Sequence, residues 1–117
     1  MLVIGLDPYR VPGPWDPKPV ADGIEAGKAR FLAHGVAVVF CLVGLDGSDD
    51  VEAVVTEALS SEVWDCVVIG GGVRHDLLLF EQVANLAHRH AAKASIAFND
   101  GPETTYEAAA RWLELPA

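Results

Sequence analysis

The stretch CVVIGGGVRHD, residues 66–76, joins a continuous apolar run to three consecutive glycines and then to charged side chains. An apolar run without polar alternation is typical of a parallel strand that is covered on both faces. Three other short runs have the same character, and they are the predicted first, second and fourth strands: Leu2–Leu6, Val36–Val43 and Ala94–Phe98. The stretch therefore predicts the third strand of a parallel sheet, followed directly by a helix.

Longer segments with helical periodicity separate and follow these runs. Their apolar side chains recur every three or four residues, which places them on one face of a helix. The predicted core faces are Val20, Ile24, Gly27 and Phe31; Val51, Val54, Val55, Ala58 and Leu59; Leu79, Phe80, Val83, Leu86, Ala87 and His90; and Ala109, Trp112 and Leu113. Asp49, three residues before Glu52, is the predicted cap of the second helix. The third helix is expected from Asp76 to Ala91.

This alternation of strands and helices predicts one α/β domain over residues 1–117, since domains typically contain about 100–150 residues. Crossovers between parallel strands are right-handed in nearly all proteins, so four such units give one parallel sheet with helices on both faces. The strand order 2-1-3-4 achieves this with short connections. The sequence therefore predicts a doubly wound, three-layer sandwich around a four-stranded sheet.

The composition disfavours several classes of function. A net charge of −9 creates a negative surface potential, which repels nucleic acid and anionic lipid head groups. The N-terminus lacks the basic and long apolar segments of a signal peptide or membrane span, so a cytoplasmic location is expected. Cys41 and Cys66 stand within apolar runs, which favours buried thiols over a disulfide. His88 and His90 are only two positions apart, so no metal site is predicted.

Polar side chains or glycines follow the last apolar residue of every predicted strand. Ligands of open parallel sheets bind beyond the carboxyl ends of the strands, where the strand order reverses. We therefore expect a polar pocket in the crevice between the first and third strands, where Asp46 and Asn99 hydrogen-bond hydroxyl or amide groups. The candidate ligand-binding residues are Tyr9, Arg10, Asp46, Gly70, Gly71, Gly72, Arg74 and Asn99.

The three glycines allow two interpretations. Positive φ angles and close backbone approach at Gly70–Gly72 would turn main-chain amides toward an anion, and Arg74 would add positive charge. Alternatively, the glycines only let the third helix leave its strand in a tight turn. The segment lacks the Lys-Ser/Thr ending of a P-loop and the glycine spacing of a dinucleotide-binding turn. No particular cofactor is therefore predicted.

Asp7 and His75 are the candidate catalytic pair. The first and third strands are neighbours in the predicted order, so both side chains should overhang the same crevice, and histidine titrates near physiological pH. Arg10 and Arg74 would orient a carboxylate or phosphate. The structural alternative is that Asp7 caps its own loop and that His75 is a solvated residue at a helix start.

The connection after the first strand, residues 7–19, is longer than the two to six residues that are usual there. Its prolines restrict the backbone, while Tyr9 and Trp15 contribute aromatic side chains. We interpret this loop either as a wall or lid of the pocket, or as a segment that shields the sheet or packs against a second subunit.

Four segments are similar to a known family: GLDP (5–8), CLVGLDG (41–47), DCVVIGGG followed by Arg at the tenth position (65–74), and AFN (97–99). In them the chain resembles a family of small, largely uncharacterised bacterial proteins with a flavodoxin-like layout. The resemblance extends over nearly the whole chain and implies the fold and the importance of these loops, but no reaction. The segment DPYRVPGPWDP, residues 7–17, stands where flavodoxins have a Ser/Thr-rich phosphate loop, so FMN is not predicted.

Two functions follow from these observations. The first is a small-molecule-binding protein or small enzyme that takes an anionic or polyhydroxylated ligand in the predicted crevice. The alternative is a non-catalytic interaction or regulatory module that acts as a homodimer. A four-stranded sheet has two open edges, and Trp15, Trp64 and Trp112 are large groups for a small monomer to bury.

Overall fold

The strands assemble as their apolar runs and crossovers predict. The computed structural model describes residues 1–116. Its four strands are β1 (Leu2–Leu6), β2 (Val39–Val43), β3 (Cys66–Ile69) and β4 (Ser95–Phe98). All pair in parallel, in the order β2-β1-β3-β4. The predicted α/β class, parallel sheet and strand order are therefore confirmed, and the fold is flavodoxin-like.

Helices cover both faces of this sheet. They are α1 (Lys18–Ala33), α2 (Val51–Ser60), α3 (Gly71–Arg74), α4 (Leu77–His90) and α5 (Thr105–Ala110), and 3₁₀ turns form at Pro8–Arg10 and Pro102–Thr104. Helices α2 and α4 pack over Leu2, Ile4, Val67 and Ile69, whereas α1 and α5 lie on the opposite face, where α5 packs near Val3 and Val68. None of the helices within residues 1–116 is long and apolar enough to cross a membrane.

Some local predictions are wrong. Asp50, not Asp49, caps α2, because its Oδ1 accepts from the amide of Ala53 at 3.1 Å, while Asp49 binds the loop after β1. Strand β2 begins at Val39 rather than Val36, and α5 ends at Ala110. Trp112 therefore lies beyond the helix and is 59% exposed instead of buried.

Two glycines bring α1 close to the segment after β4. A Cβ atom at Gly27 would lie 2.7 Å from the carbonyl oxygen of Pro102, and one at Gly23 would lie 2.8 Å from Cγ of Pro102. Both glycines face the same turn because they are four residues apart on the helix. This close contact positions α1 at the carboxyl end of the sheet, and the Gly23–Gly27 spacing is the sequence signal for it.

Candidate functional site

A cavity of about 300 Å³ lies at the carboxyl ends of the strands, on the face covered by α1. Its floor includes the bare backbone of Gly5 and the side chain of Leu42, and Val20 and Ile24 of α1 cover it. Gly70 extends this floor at the end of β3. The lining is mostly apolar, which differs from the polar pocket expected from the sequence.

The proline-rich loop after β1 forms one wall of this cavity. Pro8, Val11 and Trp15 line it. The indole Nε1 of Trp15 donates to the carbonyl oxygen of Val11 at 3.1 Å, and this bond fixes the ring within the loop. Trp15 is 40% exposed, so the ring lies between the cavity and solvent.

None of the three glycines after β3 adopts an unusual backbone angle, and only Gly72 packs closely against another residue. Positive φ angles within the described chain occur at Gly13, Gly35 and Gly47, so the prediction of positive φ at residues 70–72 is wrong. A Cβ atom at Gly72 would lie 3.0 Å from Cδ1 of Leu6. At Gly71, by contrast, the nearest atom would be 3.8 Å away, and this glycine faces the cavity.

Asn99 connects β4 to the first turn of α3. It is buried, its Oδ1 accepts from the amide of Gly71 at 3.1 Å, and its Nδ2 donates to Oγ1 of Thr105 at 2.9 Å. The amide of Gly70 donates to the carbonyl oxygen of Ile4 at 2.8 Å. The amides of Gly70 and Gly71 are thus both occupied, and Asn99 shapes the site by holding the backbone.

Arg74 brings an unpaired positive charge to the cavity. Its half-buried guanidinium donates from Nη1 to the carbonyl oxygens of Ile69 and Asn99 and lies 5.8 Å from the Phe98 ring centre. Within residues 1–116, no carboxylate lies within 4.0 Å of it. Its Nε and Nη2 atoms have no hydrogen-bond partner in that part of the chain. The side chain is therefore held in place through Nη1, while Nε and Nη2 remain able to donate to a ligand.

Arg10, the other candidate arginine, is fully engaged away from the cavity. Its Nε lies 3.0 Å from Oδ2 of Asp7, its Nη1 lies 2.8 Å from Oδ2 of Asp49, and its Nη2 donates to the carbonyl oxygen of Leu42. The hydrogen bond from Gly44, together with the bond and charge of Arg10, holds the pKa of Asp49 below its ordinary value. This cluster ties the loop to the end of β2.

The other predicted site residues divide between the cavity and its surroundings. His75 is exposed and lines the cavity, whereas Asp7 binds Arg10 and the amide of Tyr9 and does not line it. Tyr9 is 67% exposed, and Asp46 accepts from the amide of Ser48 at 3.0 Å. Of the predicted acid-base pair, only His75 therefore lines the cavity.

Asp100 also lines the cavity, although its sequence pattern did not mark it as a ligand-binding candidate. Its Oδ1 accepts from the hydroxyl of Thr104 at 2.6 Å. This bond, and more weakly the charges of Arg111 and Arg74, lower the pKa of Asp100. Its position directly after Asn99, at the end of β4, is the signal that identifies it.

The chain matches no family model, no curated protein and no solved structure. The assignment of a function therefore depends on the geometry of the cavity. Across residues 1–116, no three His, Cys, Asp or Glu side chains are grouped to hold a metal ion.

Proposed function

We propose that the protein binds a small molecule with an apolar body and a carboxylate group. The apolar body occupies the cavity under α1, and the carboxylate pairs with Arg74. The observation that supports this proposal is an arginine without a carboxylate partner at the edge of a mostly apolar cavity of about 300 Å³. Small-molecule sites combine an apolar lining with a few fixed polar groups in this way.

The hydrogen bonds of Arg74 support carboxylate recognition. Its Nη1 is held by two main-chain carbonyls, which leaves Nε and Nη2 on one edge of the planar guanidinium. This edge matches the two oxygens of a carboxylate. Because the side chain is half-buried, the pair is screened less by water than a surface ion pair would be.

Binding rather than catalysis is proposed, because Asp7 is bonded to Arg10 and only His75 of the predicted pair lines the cavity. A polyhydroxylated ligand fits less well than an amphipathic one, since an apolar lining leaves buried hydroxyl groups without hydrogen bonds. Nucleic acid is excluded from the proposal by the net charge of −9. The buried free thiols of Cys41 and Cys66 support a cytoplasmic location, where thiols stay reduced.

A thermal-shift titration with 4-methylpentanoate and 3-phenylpropionate tests this proposal. A ligand at about one hundred times its Kd adds about 2.7 kcal/mol to the free energy of unfolding. We expect Arg74→Gln to abolish the rise in Tm. Arg89→Gln is the matched control, because Arg89 lies exposed on α4 and does not line the cavity. The proposal is contradicted if no carboxylate raises the Tm, or if both variants respond alike.

A second candidate function is self-association as a homodimer. Leu77 and Leu78 are consecutive at the start of α4 and are 68% and 76% exposed. Adjacent large apolar side chains in water favour contact with another apolar surface. Sedimentation velocity tests this candidate: a dimer that Leu78→Lys dissociates supports it, and a monomer at all concentrations contradicts it.

A further inference from the structure

We propose that the ligand is a free α-amino acid with a large apolar side chain, whose carboxylate pairs with Arg74 and whose ammonium group pairs with Asp100. This inference rests on the proposed function and names the class of ligand. It follows from a second charged residue that lines the cavity, Asp100.

Arg74 and Asp100 are near each other but do not form an ion pair. Both line the cavity, yet their charged atoms are more than 4.0 Å apart. The charge of Arg74 still contributes to the lowered pKa of Asp100, after the larger effects of the Thr104 hydroxyl and Arg111. One positive and one negative group therefore flank a gap, and a zwitterion supplies the complement of each.

The position above Gly71 places this gap inside the cavity. A Cβ atom built there would lie 3.8 Å from Nη2 of Arg74 and 3.9 Å from the main-chain oxygen of Asp100. A donor and an acceptor therefore flank the same open point. At this point a carboxylate would meet Nη2 of Arg74 and an ammonium group would donate to the main-chain oxygen of Asp100. The side chain of the same residue keeps Oδ2 without a hydrogen bond within residues 1–116.

The charge of the whole chain favours the same class of ligand. A net charge of −9 repels free anions, whereas a zwitterion with no net charge is not repelled. The mostly apolar cavity then takes the side chain of the amino acid. A carboxylate without an amine would instead lie near the negative charge of Asp100, which disfavours it.

The test compares ligands that differ only in their charged groups. Isothermal titration of the unmodified protein is carried out with L-leucine and L-phenylalanine, with 4-methylpentanoate and 3-phenylpropionate, which lack the amine, and with 3-methylbutylamine and 2-phenylethylamine, which lack the carboxylate. We expect each amino acid to bind at least about tenfold more tightly than either analogue, since an unpaired charge in the site costs affinity.

Asp100→Asn removes the charge and keeps an oxygen that accepts the Thr104 hydroxyl. We expect this variant to bind L-phenylalanine about tenfold more weakly and 3-phenylpropionate more tightly than the unmodified protein. Asp65→Asn is the control, because Asp65 is exposed and does not line the cavity.

The outcomes separate this inference from the proposed function. If the carboxylates bind as tightly as the amino acids and Asp100→Asn changes neither affinity, the inference of an amino-acid ligand is overturned. The proposed carboxylate site is then still supported. If neither class binds, both fail. If the amines bind as well as the amino acids, both fail too, because Arg74 then has no carboxylate to pair with.

Discussion

The Nη1 atom of Arg10 lies 2.8 Å from Oδ2 of Asp49, although the two residues are 39 positions apart. The same guanidinium donates to Asp7, and the amide of Gly44 donates to the same oxygen of Asp49. These bonds join the start of the proline-rich loop to the end of β2. They hold the wall of the cavity in place without taking part in it.

We predict that the protein loses stability in acid as Asp49 is protonated. The Gly44 amide and Arg10 lower the pKa of Asp49 in the folded state, so the unfolded state binds this proton more readily. The stabilising contribution is complete above the ordinary pKa of about 3.9 and is lost as the pH falls through the lower, folded value. Urea unfolding between about pH 7 and about pH 3 measures this loss.

Two variants identify Asp49 in this acid profile. Asp49→Asn should be less stable at neutral pH and should depend less on acid below about pH 4. Asp65→Asn should follow the unmodified protein, since Asp65 is exposed. An Asp49→Asn curve that parallels the original over the whole range contradicts the prediction.

Gly71→Ala should stabilise the protein and weaken ligand binding at once. The φ angle of Gly71 is not positive, and a Cβ atom there meets nothing closer than 3.8 Å, so alanine restricts the unfolded chain without strain and adds about 0.4–1 kcal/mol. Its methyl group would also occupy the ligand position. Gly72→Ala should be less stable than Gly71→Ala, because Leu6 must move from 3.0 Å. Urea midpoints give the ranking, and the reverse order would refute it.

Asn99→Leu should destabilise the protein by about 1–3 kcal/mol, because it removes the acceptor of the Gly71 amide and the donor to Thr105 in a buried place. Asn85→Leu is the control, since Asn85 is exposed on α4 and should change stability by less than about 0.5 kcal/mol. Equal effects of the two substitutions would show that the buried bonds of Asn99 contribute nothing specific.

Trp15 should report ligand binding directly. Its ring lines the cavity and is 40% exposed, while Trp64 is buried and Trp112 is 59% exposed. In a Trp112→Phe variant, saturating 4-methylpentanoate should reduce acrylamide quenching of the remaining exposed indole. If calorimetry detects binding of 4-methylpentanoate but the quenching of Trp15 does not change, the ligand binds outside this cavity.

Both thiols should be inert in the folded protein. Cys41 and Cys66 are buried, and burial raises the pKa of each thiol, so little reactive thiolate is present near neutral pH. A chromogenic disulfide reagent should label neither cysteine until urea is added and should then label both. Rapid labelling of the native protein would contradict this.

The elements of the fold could be predicted because their signals are local. Continuous apolar runs mark strands covered on both faces, and helical periodicity marks α4. Asp76, predicted as the first residue of this helix, caps it instead through the amide of Leu79. Helices on both faces and short connections favour the order 2-1-3-4, and the structure confirms it.

The candidate site could not be predicted in the same way, because it depends on distances between residues that are far apart in the chain. Arg10 and Arg74 both follow a strand, yet only Arg10 pairs with carboxylates, those of Asp7 and Asp49. The sequence pattern suited Asp49 equally well as the cap of α2, a position that Asp50 takes. The apolar cavity likewise arises where Gly23 and Gly27 let α1 approach Pro102. Periodicity acts over a few residues and so determines the elements and their succession along the chain. The pairing of charges and the shape of the cavity are decided only by tertiary packing, because they depend on which surfaces come into contact.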